Sequence, residues 1–164
     1  MNSVSIRSLV EAMASSVGLL VLFFFLPLER RTWPIGVALG VLAIVAVIPL
    51  TRRNVRAIRT SDQPFLRALE AIALLATTLV VGFGAVYTGI SQHSQQIPAM
   101  HTRIDALYFT ITTLATVGFG DIVPVGQAAR VIVAIQIAMD LILLGISVRL
   151  VGRAAQLRHE EKET

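Results

Sequence analysis

The chain contains no cysteine, so it can form neither a disulfide nor a thiolate metal site, and its redox compartment cannot be read from cysteine usage. Charge is scarce as well. Asp, Glu, Lys and Arg supply 15% of the 164 residues, against roughly a quarter in soluble domains. There are three histidines, and there is no nucleophile motif, no Gly-rich phosphate loop followed by Lys and no metal-ligand cluster. An enzyme would have nothing to work with here, and no organic cofactor is expected.

What the chain has instead is apolar length. Mean hydropathy is +0.75, concentrated in residues 9–28, 34–50, 68–90 and 128–150. A helix needs roughly 20 apolar residues to cross the ~30 Å hydrocarbon layer, and the second stretch lies near the lower limit. With no water at that depth the backbone must satisfy itself, which helices do. The expectation is an all-α membrane protein with four transmembrane helices. Residues 17–28, preceded by Arg7, have the outline of a signal peptide. However, Leu26-Pro27-Leu28-Glu29-Arg30-Arg31 offers no small-x-small cleavage site, so a retained helix is expected.

The formal net charge of +4 is clustered. Arg52, Arg53, Arg56, Arg59 and Arg67 lie between the second and third stretches, and Arg153, Arg158 and Lys162 follow the fourth. Positive loops stay cytoplasmic, which places both termini inside and Arg7 with them; Arg30 and Arg31 run against the rule. Trp33 and Tyr87 are expected as interfacial aromatics on the outer side. Arg53, Arg56 and Arg59 have the three-residue spacing of a voltage sensor. The run is short, though, and leads into Thr60-Ser61-Asp62-Gln63-Pro64, so a basic linker beside anionic headgroups is the better reading.

Residues 91–127 are too long for a simple connection. Thr102-Arg103-Ile104-Asp105 has capping-box spacing, and residues 108–115 continue as an apolar helix too short to span a bilayer. Such a helix entering from outside and stopping partway is tolerated only where it is buried in protein or lines a water-filled path. The sequence Thr112-Thr113-Leu114-Ala115-Thr116-Val117-Gly118-Phe119-Gly120-Asp121 then resembles the signature of the potassium channel superfamily, and the resemblance extends over residues 65–153.

That resemblance implies outer helix, re-entrant pore helix, selectivity filter and inner helix. The filter would be Thr116, Val117, Gly118, Phe119 and Gly120, with potassium ions held at Thr116, Val117, Gly118 and Phe119. A bare potassium ion needs oxygens in place of its water. Alternating backbone handedness turns successive carbonyls to one axis, and Gly118 and Gly120 suit it because glycine accepts positive φ. Val117 and Phe119 side chains are expected to pack outward on the pore helix. One strand cannot surround an ion, so a C4 homotetramer is expected. Phe119 stands where the family more often has tyrosine. Thr112 replaces a glutamate that some bacterial members pair with the filter aspartate, so Asp121 is expected to pair with Tyr108; these three residues form the expected filter support.

In the fourth stretch Gln136, Asp140 and Ser147 share one helix face at spacings of four and seven. With Leu144 they are expected to line the cavity below the filter, where Asp140 would bind intracellular magnesium or polyamines; the alternative is Asp140 bonded to a neighbouring helix. The family's gating glycine would fall near Asp140, leaving Gly145 as the candidate hinge. The expected organisation is an N-terminal two-helix region with a basic linker (1–64), a pore module (65–153) and a short cytoplasmic tail (154–164) with no room for a sensing domain of ~50 residues or more. His93 and His101 in the outer loop are expected to be passive, although histidine titrates near neutrality. The functional expectation is a potassium-selective channel subunit of the cell membrane. A non-selective cation channel would break the second half of the filter, and an accessory subunit would not need the filter at all.

Overall fold

The computed structural model describes residues 3–28, 32–59 and 64–163. The described chain forms five helices and no strand: α1 (Ser3–Phe25), α2 (Trp33–Arg59), α3 (Pro64–His93), α4 (Arg103–Leu114) and α5 (Gln127–Glu163). Proline opens α3 at little cost, since the first turn has no use for its missing N–H. α2 runs on through Pro49, and below it the Thr51 hydroxyl donates to the Val47 carbonyl at 2.7 Å.

α3 is the central element. Within its apolar span 61% is buried, against 11% for α2 and 17% for α5. Leu75, Leu79, Phe83 and Tyr87 of α3 join Phe109 of α4 and Ala129 and Leu143 of α5 in one cluster. On another side of α3, Val81 and Ala85 pack with Phe23 of α1 and Leu28 just beyond its end. α2 lies along α3 through small residues: a Cβ on Gly40 would stand 2.7 Å from the Gly82 carbonyl oxygen, and one on Gly82 would stand 3.1 Å from that of Gly40. Between helices in lipid there is no hydrophobic drive, so close backbone approach of this kind carries the association.

The expected count of four membrane helices is not matched. Among the described residues three helices are long and apolar enough to cross: Trp33–Asn54, Phe65–His93 and Gln127–Arg149. Of α1, the apolar part among the described residues is Ala12–Phe25, shorter than a crossing requires. Tyr87 also departs from expectation. It is fully buried within the protein, and its hydroxyl is bonded to Gln136. Arg30 and Arg31, and residues 60–63, lie outside the described residues, as do the side chains of Arg7, Arg56, Arg59, Arg153, Arg158 and Lys162. α5 passes through position 153 without a break.

Gly40→Ala should force α2 off α3, since backbone and not a movable side chain opposes the new methyl. Overpacking of this kind costs about 1–3 kcal/mol, so thermal unfolding in detergent should begin at lower temperature. Gly18→Ala, where no atom lies within 4 Å of the added carbon, should leave it unchanged.

Candidate functional site

α4 is fixed at its start. Thr102 is the N-cap, in extended backbone, and the capping box read from the sequence is present: the Thr102 hydroxyl accepts from the Asp105 N–H at 3.1 Å, while Asp105 Oδ2 accepts from the Thr102 and His101 N–H groups at 2.7 and 2.9 Å. The His101 and Thr102 amides hold the Asp105 carboxyl below its ordinary pKa. Arg103 donates to the carbonyls of Phe23 and Phe24 at 3.1 and 2.5 Å, placing a cation on the negative end of α1. Ala106, Phe109 and Thr110 form the buried face of α4.

α4 ends at Leu114, and the chain turns back on it. Thr116 N–H donates to the Thr113 carbonyl at 2.9 Å, and those of Val117 and Gly118 both reach the Thr112 carbonyl, at 2.9 and 3.3 Å. φ is positive at Thr116 (57°), Gly118 (53°) and Gly120 (79°) and at no residue between them, so handedness alternates along the segment. Sequence reasoning identified the two glycines but not Thr116, where a β-branched side chain makes positive φ an outlier. The segment thus bonds the end of α4 through the N–H groups of Thr116, Val117 and Gly118, while its carbonyls at 116–119 take no backbone partner among the described residues.

Its side chains are exposed in the single chain, Val117 by 52% and Phe119 by 69%. The Phe119 ring stacks on Tyr108 at 6.2 Å and 3°. Tyr108 Oη donates to Asp121 Oδ2 at 2.8 Å, the pairing expected from the sequence, and this bond raises the Tyr108 phenol above its ordinary pKa. Thr112 directs its hydroxyl to the Phe109 carbonyl at 3.0 Å.

A clamp the sequence reading missed holds the far side of the loop. The Gln96 carbonyl accepts from Val125 and Gly126 at 2.8 and 3.2 Å, and its Oε1 accepts from the Ala129 N–H at 2.9 Å, capping the first turn of α5. Gly126 is required, because a Cβ there would lie 2.5 Å from the Gln96 side chain. Nothing in the irregular segment 91–101 signals this beyond the glycine itself. Of the two outer histidines, His93 stacks on Trp33 at 4.4 Å, and His101 is exposed.

The expected cavity stripe on α5 divides. Leu144 is 52% exposed, and Ser147 is half-buried with its hydroxyl turned to the Leu143 carbonyl at 2.8 Å. Gln136 and Asp140 instead face inward, 1% and 5% exposed. Tyr87 Oη donates to Gln136 Oε1 at 2.7 Å, and Gln136 Nε2 donates to the Thr110 carbonyl at 3.2 Å and to Asp140 Oδ2 at 3.1 Å. Asp140 is thus turned towards this junction of α3, α4 and α5, the alternative the sequence had left open, with Oδ2 bonded to Gln136 and Oδ1 without a partner among the described residues. The physical reason is that polar groups in a water-free layer take partners in protein wherever these exist. Gly145 lies within α5, and no atom stands within 4 Å of a Cβ placed there.

Asp105→Asn should weaken the cap only while the carboxyl is ionised. Because the folded value is depressed, its contribution is present above the ordinary carboxylate pKa of about 3.9 and lost as pH falls through the folded value. The difference in melting temperature between wild type and variant should therefore be largest near neutrality and close towards zero with acid. Asp140→Asn keeps an oxygen for Gln136 Nε2 and removes a costly carboxylate from the helix interior, so thermal stability should be equal or higher; a loss of more than a few degrees would contradict this placement.

The family model described as ion channel matches residues 73–156, a little over half of the chain, from α3 through the turn segment into α5. The chain is 34% identical over 97 residues to the two-pore potassium channel 1 of Arabidopsis thaliana, covering 59% of this chain and 24% of that protein. It is 31% identical over 71 residues to the calcium-gated potassium channel TvoK of Thermoplasma volcanium, covering 43% and 20%. With the voltage-gated potassium channel Kch of Escherichia coli it shares 41% over 51 residues, covering 31% and 11%. The chain thus spans a quarter or less of the length of these relatives. No solved structure gives a significant match. The matched segment contains both α4 and the turn segment of alternating handedness, and by this match over more than half its length the chain belongs to the ion channel family, as a member of the potassium channel superfamily.

Proposed function

We propose that four copies of this chain surround one axis as a potassium-selective channel, with the carbonyls of Thr116, Val117, Gly118 and Phe119 and the Thr116 hydroxyl taking the place of the ion's water. The observation that carries this reading is the sign alternation of φ at Thr116, Gly118 and Gly120, together with carbonyls that the chain's own backbone leaves unused. A single exposed strand offers oxygens from one side, and closed rotational symmetry supplies the others. α4 would be the re-entrant pore helix. Its C-terminal end, which carries a partial negative charge, precedes Thr116 and favours a cation. That the relatives bear the names of potassium channels agrees with this ion.

The cationic residues Arg52 and Arg53 near the end of α2 and Arg67 at the start of α3 support cytoplasmic termini in the cell membrane. Phe119 on Tyr108, and Tyr108 on Asp121, would hold the filter from behind.

Purified protein in liposomes under a potassium gradient should pass potassium and rubidium and exclude sodium. Gly118→Ala has room for its methyl but not the conformation, since left-handed backbone costs a residue with Cβ about 1–2 kcal/mol. Potassium flux through this variant should fall at least tenfold, or sodium should enter. Equal sodium and potassium flux in the wild type would overturn the assignment.

A further inference from the structure

A cleft of ≈ 330 Å³ lies between the C-terminal half of α2, the N-terminal half of α3 and the middle of α5. Its floor is Leu75, Leu79 and Leu143, each under 9% exposed, and its rim is Ile48 and Ile142, 55% and 63% exposed. α2 and α3 touch closely at Gly40 and Gly82, and the lining residues all lie beyond that contact, around and past Pro49. The cleft is therefore open where the helices carry bulky side chains and shut where they carry glycine.

Its polarity is one-sided. Of the two polar residues at it, Thr51 spends its hydroxyl on the Val47 carbonyl. Arg52 is exposed, and among the described residues the ion pair is Arg67–Glu70, which leaves Arg52 without an acidic partner. Every lining residue falls inside a segment apolar and long enough to cross a membrane, so lipid is the medium around it. The volume is at the lower end of the ~300–1,000 Å³ of ligand sites, and the lining from Met139 to Ile146 runs about 10 Å along α5 at 1.5 Å per residue. That accommodates part of one acyl chain.

We infer that this cleft is a binding site for an anionic phospholipid, with one acyl chain between α2, α3 and α5 and its phosphate on the Arg52 guanidinium. Arg53, the next residue and also exposed, adds to the positive potential at the same level. A zwitterionic lipid would fit the apolar part equally well and gain less at the head, so the site discriminates by charge. This inference depends on the membrane placement of the chain and not on which ion it conducts.

The test is native mass spectrometry of the purified full chain titrated with phosphatidylglycerol or phosphatidylcholine. Wild type should retain phosphatidylglycerol about fivefold better, the size of one juxtamembrane cation's contribution. Arg52→Gln should reduce this preference to near parity, Arg52→Lys should keep it, and Ile142→Trp, filling the cleft from its exposed rim, should lower retention of both lipids. An undiminished preference in Arg52→Gln, or unchanged retention in Ile142→Trp, would overturn the site. So would an assembly that carries no lipid, because a second copy would then be the occupant. Melting temperatures taken alongside separate loss of the site from loss of the fold.

Discussion

In a layer without water, every polar group packed between helices must find its partner in the protein, and at Gln136 that demand brings three helices to one level. Its oxygen accepts from Tyr87 of α3, and the two hydrogens of its amide nitrogen serve the Thr110 carbonyl of α4 and Asp140 of α5. Cα-level packing alone leaves helices free to slide, since apolar side chains in lipid have little preference among registers. A buried amide with all its bonds made is less permissive, because shifting any one helix by a turn would strand a donor or an acceptor. The height of α4 relative to the two long helices is set there.

From that level upward the loop is held by groups at both ends of α4. At its start, Arg103 ties it to the last turn of α1 and Asp105 closes the capping box. At its end, three successive N–H groups, those of Thr116, Val117 and Gly118, are taken by carbonyls of the final turn. Those bonds offset a residue as poorly suited to positive φ as Thr116, whose backbone would otherwise relax. Beyond the strand, Gln96 anchors Val125, Gly126 and Ala129, so both flanks of the exposed segment are fixed while its centre touches little of its own chain.

Much of this was legible in the sequence wherever the signal was local. The Thr102–Asp105 box is a short-range pattern with one geometry, and the Tyr108–Asp121 pair follows once the chain is known to fold back on α4. The two filter glycines announce positive φ because little else tolerates it, whereas Thr116 carries no such mark. Helical periodicity correctly put Gln136 and Asp140 on one face of α5 but could not say what that face meets, since an axis of symmetry and a neighbouring helix look alike from one sequence. Tyr87 was misread for the same reason: an aromatic near a helix end suits an interface, and only Gln136 across the fold explains its burial. The Gln96 clamp had no pattern at all, being a single amide in an irregular segment that acts on residues about thirty positions away.

α5 runs as one helix from Gln127 to Glu163, about 55 Å at 1.5 Å per residue, and among the described residues the side-chain bonds that tie it to other segments, from Gln96 and at Gln136, lie in its first half. Mechanically it is a lever arm with its fulcrum near the top. A tilt of about 5° about Gln136 would move the far end by about 3.5 Å over the roughly 40 Å of helix below the pivot, while the residues beside α4 would be displaced by less than their own thermal motion. The same rod that steadies the exposed strand at one end can therefore report, or receive, small rotations at the other with several-fold mechanical gain.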